Sequence, residues 1–491
     1  MKQRQAVHFY LNGTHHEVIP TSPTQTALQF LREQLRLTGT KEGCAEGDCG
    51  ACTVLEVDLD TQGRLRYKAI NACIRFLPTL DGKVLFTVEG LAGSDGGLHP
   101  VQQALVDHHG SQCGFCTPGF VMSMYAMYCN GQVQPERDQV LDSLSGNLCR
   151  CTGYRPIIDA AQSMHRYPAC PPDHAHIQQC LHQLDALTAV PLAIQGFDGT
   201  HYAAPVTVDH LAQTLQEHPQ ATLLAGGTDV GLWVTKQLRR LPEVVYLGNV
   251  AELNHVVQQR DGVVIGANVS LNDAFQALVQ HYPEATELWQ RFASMPIRNS
   301  GTLVGNLANG SPIGDSAPLL IALQARVTLR LGGETRTLPL EQLYLDYRKQ
   351  DRRPGEFVQE VFIPLRRTGL QVAVYKVSKR FDQDISAVCG AYALLLDAEN
   401  RVASIRIAYG GMAATSRRAL ATEQALAGRL WSETAVHEAM SAMGADFTPL
   451  SDMRASAAYR LRVAANLLLR FYLETMGTRN LRTGACYANI V

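Results

Sequence analysis

Gly43-Cys44-Ala45-Glu46-Gly47-Asp48-Cys49-Gly50-Ala51-Cys52 is the stretch from which the rest of the chain is read. Four residues separate Cys44 from Cys49, two separate Cys49 from Cys52, and Cys73 follows after a predicted hairpin. This is the C-x4-C-x2-C…C spacing of a plant-type [2Fe–2S] site, in which four thiolates share two irons. Gly43, Gly47, Gly50 and Ala51 let the backbone curl round such a cluster, with positive φ where needed, and aim N–H groups at its sulfurs. The alternatives are a structural zinc site or free buried thiols. Zinc loops carry a C-x2-C pair on each half, which Cys44 and Cys49 do not supply.

A second set follows. Gln112-Cys113-Gly114-Phe115-Cys116-Thr117-Pro118-Gly119 is joined much later by Cys149-Arg150-Cys151. Thr117 reads as an N-cap and Pro118 as the first residue of a helix. That helix, over about 119–128, would carry Val121, Met124, Tyr125 and Met127 into a core. Pro156 opens another helix. Two cysteines at each of two helix ends suit a second dinuclear cluster; zinc is the alternative.

At 491 residues, length predicts about three to four domains. A net charge of −2 argues against nucleic acid or an anionic membrane as the main partner. Residues 1–8 show no apolar signal core, and no run approaches a membrane span. Of 13 cysteines, 8 fall in the two sets, which points to a reducing, cytoplasmic setting rather than a disulfide scaffold.

In order, residues 6–11 and 16–19 read as strands joined by Asn12-Gly13, a hairpin signal. A helix follows over 26–35, and strands over 53–57, 66–69 and 84–88. This is a β-grasp plan over 1–90. Residues 91–166 read as a four-helix-type domain. Residues 167–195 read as a polar linker, whose Cys170, His174, His176 and Cys180 lack the spacing of known structural metal sites. From Tyr202 short strands and helices alternate.

Leu223-Leu224-Ala225-Gly226-Gly227-Thr228-Asp229-Val230 is a strand running into a glycine turn, whose exposed N–H groups suit phosphate oxygens. Residues 298–315, rich in Gly, Asn, Ser and Thr, have almost no helix-forming character and read as a surface for a polar, extended ligand. Asp315 could hold ribose or ribityl hydroxyls, as an acidic residue does in dinucleotide sites.

With both cysteine sets and both glycine loops present, the chain resembles the iron–sulfur/flavin subunits of the molybdenum hydroxylase family, and among them the small subunits of bacterial xanthine dehydrogenases. The likeness covers essentially the whole length. It implies a multidomain α+β architecture: a β-grasp [2Fe–2S] domain, a helical [2Fe–2S] domain, a two-part α+β FAD-binding domain over 196–372 and a C-terminal α/β flavoprotein domain over 373–491. Carried over by position, Cys44, Cys49, Cys52 and Cys73 match ligands of the plant-type cluster, and Cys113, Cys116, Cys149 and Cys151 those of the second. Gln112 matches a glutamine that contacts molybdopterin. Residues 223–230 match the FAD diphosphate segment, and Thr302, Leu303, Val304, Gly305 and Asn306 the second FAD segment. Phe292, Asp315, Val358 and Lys376 match further FAD contacts. Arg380-Phe381-Asp382-Gln383-Asp384 aligns with a charged loop that influences whether NAD+ or oxygen takes the electrons, with Gln383 replacing an acidic residue.

The resemblance implies a relay. Four domains leave no room for a molybdopterin-binding domain, so molybdenum belongs to a large partner subunit, in a heterodimer or a dimer of heterodimers. Electrons from hypoxanthine or xanthine would pass through the helical-domain cluster, the ferredoxin-like cluster and FAD to NAD+. An aldehyde oxidoreductase or carbon monoxide dehydrogenase of the same build would carry nearly the same motifs. A stand-alone NADH diaphorase would have no use for Gln112 or for a docking face.

Overall fold

Val7–Leu11 (β1) and Thr14–Val18 (β2) pair antiparallel through Asn12 and Gly13, both at positive φ, 49° and 81°. Two successive left-handed residues match the twist of the flanking strands, which is why Asn-Gly closes hairpins. Period-two alternation turns Val7, Phe9 and Leu11 inward. With Thr53–Leu59 (β3), Leu65–Asn71 (β4) and Val84–Phe86 (β5), the sheet order is β2-β1-β5-β3-β4, β5 running parallel to β1. The computed structural model describes residues 3–60, 63–93 and 96–477; the end of the expected C-terminal domain, 478–491, lies outside them.

The helix expected over 26–35 is divided. Thr26 and Gln29 form a reciprocal capping box at the start of Ala27–Gln29, and a wider π turn, Phe30–Gln34, follows. The second domain has helices Pro100–Asp107, Thr117–Cys129, Arg137–Ser143 and Arg155–Ser163. Val121, Met124, Tyr125 and Met127 are buried as expected. The capping assignment is corrected: Cys116 occupies the N-cap, Thr117 is already helical, and its hydroxyl bonds Ser111 at 2.7 Å instead of the helix backbone.

Residues 167–195 are more than a polar linker. They contain the helix His174–Thr188, capped by Asp173, which buries Ile177, Cys180, Leu181 and Leu184. Those four recur at helical spacing, so the apolar face is present in the sequence beneath a polar composition. His176 Nε2 lies 3.6 Å from Cys180 Sγ, whereas the His174 ring packs on Tyr67 and Cys170 uses its carbonyl to bond His99.

The second half of the chain begins with Leu192–Gln195 (β6), His201–Ala204 (β7), Thr222–Leu224 (β8) and Glu243–Tyr246 (β9), in the order β6-β7-β9-β8. A second, five-stranded antiparallel sheet has Phe357–Pro364 at its centre, between Gly262–Gly266 and Arg326–Leu331. The last unit is the antiparallel sheet Gln371–Val377, Val388–Leu396, Val402–Gly410 and Arg417–Arg418, backed by the helices Glu433–Asp446 and Ala457–Thr475. Among the described residues, no helix is long and apolar enough to cross a membrane.

Candidate functional site

The first thiol set closes at one end of the ferredoxin-like sheet. Cys44 lies in hydrogen-bonding contact with Cys49 and Cys73, and Cys52 with Cys73. The loop curls as expected, with Gly47 and Gly50 at positive φ and Ala45 joining them at 55°. As a result the N–H groups of Glu46, Asp48 and Cys49 all point at Cys44 Sγ, each at 3.4 Å. The neighbouring thiols and these donors hold Cys44 well below the usual thiol range. Three N–H donors on one sulfur suit a thiolate, and they are the kind of contact that tunes a cluster.

The second set is assembled by the loops that precede two helices. Cys113 contacts Cys151, and Cys116 contacts Cys149. Cys149 also lies 3.2 Å from the Thr152 hydroxyl, and its N–H donates to Tyr154 Oη at 3.1 Å. Burial pushes Cys116 up to about 12, with its Cys149 neighbour adding to the shift. Among the described residues, no three His, Cys, Asp or Glu side chains form a single-ion cage. In the first set Cys44 touches two thiols and Cys52 one, and in the second the thiols meet in two pairs; four cysteine thiolates are the ligand set of a [2Fe–2S] cluster. Every described cysteine is free of disulfide.

The two sets touch. Leu148 N–H donates to the Cys49 carbonyl at 2.9 Å, so the residue beside Cys149 is bonded to the loop of Cys49. Asn147 reinforces the contact: its amide donates to the Gly50 carbonyl and to Thr53 Oγ1, 3.2 Å each, and accepts from Ser123 at 2.6 Å. Any Cβ at Gly50 would collide with the Gly146 carbonyl, so only glycine lets the loops meet.

On its other side the first set meets the second half of the chain. A Cβ at Gly231 would stand 2.8 Å from Ile74, the residue after Cys73. Lys236 Nζ reaches the Cys44 carbonyl at 3.1 Å. Gln383, at φ 48°, reaches the Asp48 carbonyl (3.1 Å) and the Gly146 N–H once its amide is turned to satisfy both. The loop 380–384 therefore touches both cysteine loops.

Beyond Gly231 lies a cavity of about 540 Å³. Leu223 and residues 225–230 form one wall; Thr302, Val304, Gly305, Asn306 and Val358 also face it. The two glycine loops touch at Gly226, where any Cβ would strike the Ser300 carbonyl. Their close approach leaves backbone N–H groups lining a cleft, a cradle for phosphate oxygens. Two other clefts, about 440 and about 1030 Å³, lie along the domain boundaries. The first is walled by Glu56, Asp58, Arg66, Lys68 and Arg75, which are ion-paired with one another.

Several sequence expectations are corrected. Residues 298–315 are not an extended polar surface: Leu303–Asn309 is a helix, started by Thr302, whose hydroxyl accepts from Gly305 N–H at 3.0 Å. Burial of Leu303, Val304 and Leu307 overrides the weak local propensity. Leu224 and Leu303 are core residues and do not line the cavity. Phe292 packs on Phe275, and its carbonyl accepts from the buried Arg298. Asp315 is not among the residues that line the cavity. It is 5% exposed and held by Lys376 Nζ at 2.7 Å and Ser386 Oγ at 2.6 Å. This buried pair joins the 298–315 segment to the C-terminal sheet. Gln112 is exposed beside Cys113, away from the cavity. Sequence reasoning missed Trp233, Asn309, Arg352 and Arg353 as cavity residues; the basic turn Arg352-Arg353-Pro354-Gly355, shortly before Val358, was the available signal.

Four family models match the chain in order. They are a 2Fe-2S iron-sulfur cluster binding domain over residues 9–76, a [2Fe-2S] binding domain over 87–162, the FAD binding domain in molybdopterin dehydrogenase over 195–366, and the CO dehydrogenase flavoprotein C-terminal domain over 373–475. Xanthine dehydrogenase of Emericella nidulans is 33% identical over 529 residues, 96% of this chain and 38% of that protein. Xanthine dehydrogenase 1 of Arabidopsis thaliana is 30% identical, across 94% of this chain and 39% of that protein. The chain thus spans about two fifths of the length of these relatives. Among solved structures, carbon monoxide dehydrogenase from Hydrogenophaga pseudoflava matches 55% of this chain and 94% of its own matched chain, with a TM-score of 0.52 and 28% identity. Carbon monoxide dehydrogenase from Oligotropha carboxidovorans gives the same coverage and TM-score at 26% identity.

Proposed function

The chain belongs to the molybdenum hydroxylase family as an iron–sulfur/FAD electron-transfer module, and we propose that it serves a xanthine dehydrogenase. Electrons would enter from a molybdenum–molybdopterin centre on a large partner subunit that oxidises hypoxanthine and xanthine, and leave to NAD+. When bound, the clusters carry electrons singly and FAD gathers them in pairs for the nicotinamide.

The observation that carries this reading is the order of contacts. The Cys149 loop bonds the Cys49 loop through Leu148, and the residue after Cys73 packs on Gly231 at the edge of the glycine-lined cavity. Cys44, Cys49, Cys52 and Cys73 hold one [2Fe–2S] cluster, and Cys113, Cys116, Cys149 and Cys151 the other. Residues 225–230, Leu223, Thr302, Val304, Gly305, Asn306 and Val358 hold FAD. Asp315 and Lys376 act one layer behind, fixing the C-terminal sheet against the flavin domain. Exposed Gln112, Phe115, Leu148 and Tyr154 surround the second thiol set and form the face the large subunit covers. The purine branch is favoured by relatives called xanthine dehydrogenases along nearly the whole chain. The carbon monoxide dehydrogenase branch rests on matches to 55% of it. Free cysteines throughout the described residues fit a cytoplasmic setting.

Metal and flavin analysis with low-temperature EPR of the reduced protein tests the reading. About four irons, in two distinguishable [2Fe–2S] signals, with one FAD per chain and a copurifying molybdenum subunit are expected. Zinc in place of iron, or a protein that takes up no flavin, would end it.

A further inference from the structure

Arg352 and Arg353 lie on the turn before the strand Phe357–Pro364, and both line the cavity formed by the glycine loops. Neither was expected there from the sequence. Asp351, directly before Arg352 in sequence, is held by Arg336 at 2.9 Å, and Glu356, on the other side of the turn, is committed elsewhere too. Arg336 holds it through both oxygens at 2.8 Å each, and the Arg353 backbone N–H reaches it at 2.9 Å. Arg352 Nη1 finds only the Glu356 carbonyl, at 3.4 Å. Among the described residues, neither guanidinium forms an ion pair.

The other carboxylate of the cavity, Asp229, lies beside Trp233 and Asn309 and near Arg348. Arg352 is open to the cleft, yet enough protein surrounds it that burial pulls its pKa below the usual arginine range, with Glu356 offsetting only part. Two guanidinium groups that form no ion pair, with only Glu356, already held by Arg336, in electrostatic reach, stand beside two N–H-rich turns and make an anion-seeking wall. Partial desolvation of a charge is unfavourable unless a ligand supplies the opposite one.

We infer that Arg352 and Arg353 are binding residues for the diphosphate of FAD, adding cationic, fork-shaped donors to the backbone cradle of the glycine turns. The inference rests on the flavin reading above and extends it to two residues that neither sequence motif contains. FAD carries charge only on its two phosphates, so two unpaired guanidiniums match its charge as well as its place.

The test is to remove flavin from the full chain and titrate back FAD or riboflavin, following flavin fluorescence, in the wild type, the Arg352→Gln, Arg353→Gln and double variants, and an Arg→Lys double variant. Each glutamine substitution should weaken FAD by about tenfold and the pair by about a hundredfold, from charge-assisted bonds to phosphate. The wild-type dissociation constant should rise with added salt and that of the double glutamine variant should not. Riboflavin, which has no phosphate, should bind all forms alike, the lysine pair should recover part of the FAD affinity, and iron content should stay constant. Unchanged FAD affinity and salt dependence in the double glutamine variant, or equal losses for riboflavin and FAD, would overturn the assignment. A wild type that takes up no flavin would instead overturn the flavin reading itself.

Discussion

Cys52 and Cys73 of the first thiol set are buried, whereas Cys113 and Cys151 of the second are exposed. The surroundings differ in the same sense. The first set sits inside a sheet domain, pressed on one side by the Asn147 loop and on the other by Gly231 and Lys236. The second has protein only beneath it and a rim of exposed Phe115, Leu148 and Tyr154 above. Burial lowers the cost of moving charge within one chain because less solvent has to reorganise, whereas exposure beside apolar side chains suits a site that another surface will cover. The same four-thiol chemistry is placed at two depths, and on the proposed reading these are an interior and an entry station.

Cysteine substitution should break the comparison most visibly. Cys73→Ala should remove the first EPR signal and about half the iron, and also loosen FAD, because Ile74 next to it braces Gly231. Cys151→Ala should remove the second signal and a similar share of iron while FAD occupancy stays at the wild-type level. Equal flavin loss in both variants would mean that the two stations are not mechanically distinct.

The next effect concerns the brace behind the flavin side. Lys376 and Asp315 are buried with side chains 3% and 7% exposed. Lys376→Met leaves the Asp315 carboxylate with Ser386 alone and should destabilise the protein by about 3–5 kcal/mol, as removing one partner of a buried pair does. Chemical denaturation should register this loss while both cluster signals survive. A stability within 1 kcal/mol of wild type, on the scale of ordinary surface changes, would show that the domain contact does not depend on the pair.

Between the stations, Asn147→Ala tests the bridge itself. It leaves the Ser123 hydroxyl without its acceptor in a buried place, while the Gly50 carbonyl keeps the Thr53 N–H and hydroxyl, and should cost about 1–3 kcal/mol. Unfolding monitored separately at the two EPR signals should show both stations weakened together. Loss confined to the second would mean that the loops are independent.

The legible and illegible parts of this molecule divide by the range of the interaction. The cysteine loops and the Asn12-Gly13 hairpin are readable because ligand spacing and turn geometry are set within a few residues. The glycines at 226 and 301 stand out in the sequence too, but what requires them, the approach of the two loops to each other, is long-range. The helix Leu303–Asn309 is hidden because its Gly- and Asn-rich sequence has little propensity of its own, and only the core contacts of Leu303, Val304 and Leu307 select it. The helix His174–Thr188 was masked by histidines and glutamines on its solvent face. Asp315 illustrates the same limit for function. Its partners Lys376 and Ser386 lie 61 and 71 residues further on, too far in sequence for the local stretch to have shown the brace they form.

The smallest effect on stability should come from the rim of the second station, and it sharpens the comparison most finely. Leu148 is 40% exposed, and its structural contact to Cys49 is made by its backbone N–H, which substitution leaves in place. Leu148→Ser should therefore change unfolding free energy by no more than about 0.5 kcal/mol and leave both cluster signals intact. If the exposed side of the second thiol set is the docking face, the same substitution should reduce recovery of the molybdenum-containing subunit in copurification. Leu450→Ser, at a leucine 82% exposed on the C-terminal domain, supplies the matched control for lost surface hydrophobicity. A partner yield lowered equally by both would assign the effect to general stickiness. A yield lowered by Leu148→Ser alone, with unchanged iron and flavin, would mean that exposure at this station serves assembly while burial at the other serves transfer.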